Sequence, residues 1–146
     1  MIRTANAAWK GNLKSGTGSI TTESGVIKDV TYNFARRFEN EKGTNPEELL
    51  GAAHAACFAM ALSNALATAG FSPVKVNVED KVKLEKVGDG FGITTIEINC
   101  EAEVPGIAEN EFLKLAEETK KGCPVSKALT GVSFVLNAKL KEKISA

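Results

Sequence analysis

Neither sign of charge is in excess in this 146-residue chain: Lys and Arg total 18, Asp and Glu total 18, and the formal net charge is zero. That balance gives no electrostatic basis for a nucleic-acid or anionic-membrane partner, and small neutral or thiol-reactive substrates suit the chain better. Histidine is scarce, with one residue, and the three cysteines, Cys57, Cys100 and Cys123, form neither a CxxC pair nor the paired spacing of a zinc site. A structural metal is therefore not expected. The opening MIRTANAAWK lacks the apolar run of a secretory signal, so the reading is a cytoplasmic protein whose cysteines are thiols and not staples. No repeat, low-complexity tract or linker interrupts the chain, and a single domain, residues 1–146, is long enough to bury a core.

Charge is also missing locally, since no Asp, Glu, Lys or Arg occurs between Glu48 and Lys75. The gap is long enough to span a bilayer. It is, however, mostly alanine and is interrupted by Gly51, His54, Ser63, Asn64 and Gly70, where a membrane span would be richer in Leu, Ile, Val and Phe. The expectation is a buried central helix. Asn45 is a good N-cap, Pro46 a good first residue, and Glu48 is placed to reach back in a capping box.

The rest of the chain reads as an α+β domain around that helix. NAAWKGNLKSGTGSITTES gives two strand-like runs about a Gly-rich turn, and GVIKDVTYNFARRFEN continues as extended sequence with Val30, Tyr32, Phe34 and Phe38 alternating, an antiparallel meander. Gly70 and Pro73 stop the helix. VKVNVEDKVKLEKV and FGITTIEINCEAEV then form a long hairpin with Ile96, Ile98, Cys100, Ala102 and Val104 on one face. AENEFLKLAEETKK resumes a helical period with Phe112, Leu115, Ala116 and Thr119 inward, Gly122 ends it, and Pro124 suits the first turn of a short helix through Leu129. Residues 132–140 read as a closing strand.

Several positions carry potential chemistry. Cys57 lies in an apolar helix, where desolvation disfavours the thiolate that peroxide or disulfide chemistry requires. A fixed cation would remedy this, and two of the three arginines, Arg36 and Arg37, stand together before the helix's entry loop; the alternative is that both are surface groups at a strand end. Glu48 serves the cap, but Glu47 has no such duty. It lies ten residues from Cys57, about 80° round the helix and about 15 Å along it, so only a long side chain such as an arginine with its planar fork could link them. His54, one turn before Cys57, is either a packed, hydrogen-bonded core residue or the base of a His/Cys pair capable of acyl transfer or hydrolysis. Cys100 sits at an inward strand position and reads as core. Cys123 stands between a helix-ending glycine and Pro124, where the next helix's amides favour a thiolate.

RFENEKGTNPEELLGAAHAACFAMAL together with GCPVSKAL resembles the OsmC family, within the OsmC/Ohr superfamily of organic hydroperoxide reductases. The likeness extends to AAWKGN, TESGV and VPGI, and GAAHAACF and GCPVS favour the OsmC branch over its Ohr sister. The resemblance implies an α+β subunit with antiparallel sheets packed around a long central helix, in an intertwined homodimer. It also implies a cysteine-based peroxidase acting on organic hydroperoxides, with no metal, flavin or haem. Cys57 matches the family's peroxidatic cysteine, Cys123 its resolving cysteine, Arg37 the arginine before Phe-Glu, and Glu47 the first glutamate after Asn-Pro; Arg36 is an added neighbour that leaves open which guanidinium faces the thiol. On this pattern a Cys57 sulfenate becomes a Cys57–Cys123 disulfide that an external dithiol recycles, lipoyl groups on partner proteins being one source, and an apolar pocket favours alkyl over hydrogen peroxide. The alternative of another class is a redox sensor or binding protein that forms the same disulfide without turnover.

Overall fold

The computed structural model describes residues 1–141, in the element order β1 (Ala5–Lys10), β2 (Thr17–Thr22), β3 (Val30–Asn33), α1 (Phe34–Phe38), α2 (Pro46–Thr68), β4 (Lys75–Val87), β5 (Gly90–Glu103), α3 (Glu109–Gly122), α4 (Pro124–Ala128) and β6 (Ser133–Leu140). The architecture is α+β, with two three-stranded sheets ordered β1-β2-β3 and β4-β5-β6. The chain divides into two compact units, Met1–Leu49 and the part from Leu50 onward.

The first unit is the expected meander, with β2 antiparallel to both β1 and β3. Gly18 pairs with Trp9 on one side and Tyr32 on the other. A Cβ there would come within 2.3 Å of the Tyr32 ring, so the glycine makes room for the two aromatics, whose centroids lie 5.4 Å apart. The expected extended run stops earlier than its alternation implies. After Asn33 the backbone turns into α1, because the Asn33 side chain accepts from the Arg36 N–H at 2.8 Å and caps the turn. Phe34 and Phe38 are consequently an i, i+4 pair with centroids 4.9 Å apart and not alternating strand residues. A period of four satisfies both patterns at these two positions, and the cap decides between them.

In the second unit β4 and β5 form the long antiparallel hairpin, with one register shift at Lys83/Leu84. One strand departs from the antiparallel expectation: β6 pairs parallel with β5, from Thr95↔Ser133 to Ala102↔Leu140. The physical reason is the connection. A hairpin turn reverses the chain, whereas α3 and α4 between β5 and β6 make a crossover that returns it to the end where it started. The core contains Phe58, Leu62 and Leu66 of α2, Ile96, Ile98, Cys100 and Ala102 of β5, Phe112 and Ala116 of α3, and Cys123.

Asn45 Oδ1 accepts from the Glu48 N–H at 2.8 Å, the cap expected at the start of α2. The helix is long and apolar enough to cross a membrane by length and composition. Its buried stripe is narrow: His54, Phe58, Leu62 and Leu66, at four-residue spacing, are each fully inaccessible, while Ala52, Ala53, Ala56, Met60 and Ala67 are exposed. Such one-sided burial is that of a helix on the surface of its own core. Gly51 sets its approach to β4, since a Cβ there would meet Val82 Cγ2 at 3.2 Å and Asp80 Cβ at 3.8 Å.

Candidate active site

Cys57 precedes Phe58 on α2 and so lies at the edge of the buried stripe, partly accessible. Cys123 arrives from the other side of the core. Lys120 and Lys121 occupy the last turn of α3, and Cys123 follows Gly122 as the cap residue of α4, with φ −57° and ψ 131° and Pro124 at the first helical position. Its accessibility is 1%. The two Sγ atoms are 3.1 Å apart, both free thiols, about 1 Å beyond the covalent distance of about 2.05 Å.

The surroundings treat the two sulfurs oppositely. Burial raises the Cys57 thiol above its ordinary value, and the Cys123 sulfur beside it raises it further, against a lowering by the Val125 amide. Burial raises Cys123 as well, but the Ser126 amide, the Cys57 thiol, the Ser126 hydroxyl and the Val125 amide outweigh it and bring the thiol below its ordinary value. The sulfur makes no capping hydrogen bond of regular geometry, yet these donors are near enough to stabilise its charge. The α4 amides thus favour charge on the Cys123 sulfur, while burial disfavours it on Cys57.

Arg37 and Glu47 meet within the first unit. Arg37 Nη2 donates to Glu47 Oε1 at 2.8 Å and its Nε donates to the same oxygen at 3.1 Å, and Glu47 is only 7% accessible. A buried carboxylate that the cap leaves unused is thus held by a guanidinium fork. Arg36 is occupied elsewhere: its Nε donates to Glu41 at 3.1 Å and its Nη1 to the Thr31 carbonyl at 2.6 Å. The α1 turn is what sends these adjacent arginines to different partners.

His54 uses both ring nitrogens away from Cys57. Nδ1 makes a short contact with the Asp80 carboxylate on β4, Nε2 lies 2.8 Å from Ser126 Oγ, and the ring stacks on Phe134 at 5.0 Å. The packed, hydrogen-bonded reading of His54 describes this geometry, and no ring nitrogen is left for a His/Cys pair. Asp80 and Ser126 are the site neighbours that sequence reasoning passed over. Asp80 carried a signal, because it falls in phase with Val76, Val78 and Val82 on the inward side of β4, where a carboxylate needs a partner. Ser126 carried none beyond its place in GCPVS. Cys100 is a core residue whose burial pushes its thiol up to about 11. Among the described residues no three His, Cys, Asp or Glu side chains group as a metal site.

The family model described as OsmC-like protein matches residues 39–137. The chain belongs to the OsmC-like family. Cys57, Cys123, Glu47, His54, Asp80 and Ser126 fall inside the match and Arg37 just before it. Among its relatives, Peroxiredoxin OsmC of Escherichia coli (strain K12) is 52% identical over 123 residues, 84% of this chain and 86% of that protein. Organic hydroperoxide resistance protein OhrB of Bacillus subtilis (strain 168) is 30% identical over 115 residues, 78% and 82% of the two chains. The crystal structure of Bacillus subtilis OhrB superposes with a TM-score of 0.69 at 30% identity, covering 93% of this chain and 98% of that one.

Proposed function

We propose that the protein is a thiol-dependent peroxidase that reduces organic hydroperoxides to alcohols. The observation that carries the reading is the pair of free sulfurs 3.1 Å apart, one partly accessible and the other buried; the names of the relatives, a peroxiredoxin and organic hydroperoxide resistance proteins, agree with it. The Cys57 thiolate attacks the distal oxygen of ROOH, the O–O bond breaks, and RO⁻ leaves to become ROH, giving Cys57–SOH. Cys123 displaces the sulfenate oxygen as water and forms the Cys57–Cys123 disulfide. An external dithiol, free or as a lipoyl group on a protein, reduces it through a mixed disulfide. The partly accessible sulfur suits the first attack and the buried one the second.

The first step needs the charge on Cys57, whereas the α4 amides favour Cys123. A cation beside Cys57 reverses the order, and we assign that work to Arg37, held by Glu47, on the family's motif. We further assign the exposed alanine and Met60 face of α2 to the contact of a homodimer, and the reaction to the reducing cytoplasm.

Steady-state turnover tests the reading: with dithiothreitol present, cumene hydroperoxide should be consumed in many equivalents per chain and faster than hydrogen peroxide. A single equivalent oxidised and then nothing would make the protein a sensor instead.

A further inference from the structure

The polar contacts of His54 play no part in the scheme above, and they stand where packing alone would place none. Asp80 is an inward strand residue whose side chain is 1% accessible, and its Oδ1 is buried without a hydrogen-bond partner among the described residues. Val78 and Val82, the inward positions on either side of it, are apolar. The same exception recurs on α4, where the buried residue of Pro124–Ala128 is Ser126, of a type that is mostly exposed. A helix of five residues has no stability of its own, because nucleation costs more than so few hydrogen bonds recover. Tertiary contacts must therefore set where α4 lies.

His54 joins the two buried polar residues. On β4 the Asp80 carboxylate holds Nδ1, and on β6 the Phe134 ring stacks on the imidazole at 5.0 Å. Gly51, one turn earlier on α2, permits the close approach to β4, since a Cβ there would meet Val82 Cγ2 at 3.2 Å. The imidazole is thus fixed from two strands, with Nε2 2.8 Å from Ser126 Oγ. That bond forms in either protonation state of the ring: Nε2 accepts from the hydroxyl when it carries no proton and donates to Oγ when it carries one.

The bond lies one helical turn from the sulfurs on both sides. His54 is three residues before Cys57, and Ser126 three residues after Cys123. Residues three apart share a helix face, so two successive rungs join α2 to the start of α4, His54 to Ser126 at 2.8 Å and Cys57 to Cys123 at 3.1 Å. The numbering rises on α2 as it falls on α4. Lys127 N–H donates to the Cys123 carbonyl at 3.0 Å, which ties the cysteine backbone to the turn that carries Ser126. The sulfurs must close by only about 1 Å to bond, and loss of the first rung frees α4 to move by at least that much.

We propose that His54 and Ser126 are positioning residues for disulfide closure: their hydrogen bond, anchored to β4 through Asp80, holds Cys123 against Cys57 in the reduced protein. This role rests on the reading of Cys57 and Cys123 as partners in a disulfide. After peroxide, the Cys57 sulfenic acid and the Cys123 thiol give one S–S bond and one water. With oxidised dithiothreitol, the two thiols are oxidised to the disulfide and the reagent is reduced to its dithiol. Neither reaction passes a proton through the imidazole.

The test compares Ser126→Ala and Ser126→Thr with the unmodified protein at neutral pH. After one equivalent of cumene hydroperoxide, dimedone capture reports the Cys57 sulfenate and a non-reducing peptide map reports the disulfide. Closure in Ser126→Ala should slow about 10-fold relative to sulfenate formation. In mixtures of reduced and oxidised dithiothreitol, its equilibrium constant for the Cys57–Cys123 disulfide should fall about 5-fold, and Ser126→Thr, which keeps the hydroxyl, should restore both. A contact that merely stabilises the fold supports the reduced and disulfide forms alike and leaves that equilibrium where it was. Asp80→Asn, whose amide oxygen still accepts at Nδ1, should retain more closure than Asp80→Ala; were either to unfold, the serine pair decides alone. An equilibrium or a closure rate in Ser126→Ala equal to that of the unmodified protein would overturn the role, as would an equal deficit in Ser126→Thr. If peroxide gives the unmodified protein a sulfenate but no disulfide, the peroxidase scheme fails instead, and the dithiothreitol equilibrium still decides the role of the His54 contact.

Discussion

The sulfurs of Cys57 and Cys123, 66 positions apart in sequence, lie 3.1 Å apart, the first in the middle of a long helix and the second at the start of a short one. Two helices hold the pair across a core that includes Phe58 and Phe112, so little chain movement stands between this geometry and a disulfide.

Replacing the two cysteines in turn should separate the steps. Cys57→Ser is expected to lower peroxide consumption with dithiothreitol by roughly 1,000-fold or more, the scale on which removal of a nucleophile acts. Cys123→Ser should still be oxidised once, with the sulfenate persisting long enough for dimedone to trap it. In the unmodified protein, one equivalent of cumene hydroperoxide should yield a Cys57–Cys123 crosslinked peptide by non-reducing mass spectrometry. Its absence would count against the resolving role.

The two arginines should differ sharply although they are adjacent. Arg37→Lys keeps the charge and loses the fork to Glu47. A charge-assisted hydrogen bond contributes about 1.5–3 kcal/mol, and because Arg37 is 37% accessible the lower end applies, an expected drop of about 10-fold in the rate of sulfenate formation. Arg36→Lys, whose partners are Glu41 and Thr31, should change that rate by less than about twofold. Equal effects of the two would remove Arg37 from the mechanism.

Cys100 should behave as an inert thiol. With its pKa pushed up to about 11, about one part in a thousand is thiolate at pH 8, and only the thiolate reacts. Iodoacetamide applied to the reduced, folded protein at that pH should therefore label the Cys57/Cys123 pair and spare Cys100 until denaturant is added. Labelling of all three at one rate would show that the β5 face is not closed.

The two faces of α2 should respond to substitution in different assays. Phe58→Ala removes a fully buried ring and should cost about 3–5 kcal/mol of stability, read from the urea midpoint. Met60 is 76% accessible, so Met60→Glu should leave the unfolding of the subunit nearly unchanged while weakening self-association in sedimentation velocity. A monomeric unmodified protein, or a Met60→Glu dimer of undiminished affinity, would remove this face from the interface.

Much of this was legible in the residues because it is local. Asn45 and Pro46 announce the start of α2, Gly122 and Pro124 the break between α3 and α4, and the alternation through Ile96, Ile98, Cys100 and Ala102 the inward face of β5. Phe34 and Phe38 misled because a four-residue spacing fits a strand face and a helical turn equally, and only the Asn33 cap separates them. Asp80 was hidden by its exposed charged neighbours Glu79 and Lys81, although its phase with Val78 and Val82 marked it as inward.

Sequence by itself determined the elements other than α1, the likeness to the OsmC-like family and the two cysteines worth watching, since these follow from short-range periodicity, caps and motif order. Tertiary structure decided which sulfur is accessible, how close the two sulfurs lie, which arginine holds Glu47 and where both nitrogens of His54 go. Those are relations between residues 10 to 72 positions apart, and nothing along the chain encodes a distance of that kind until burial of the core brings the elements together.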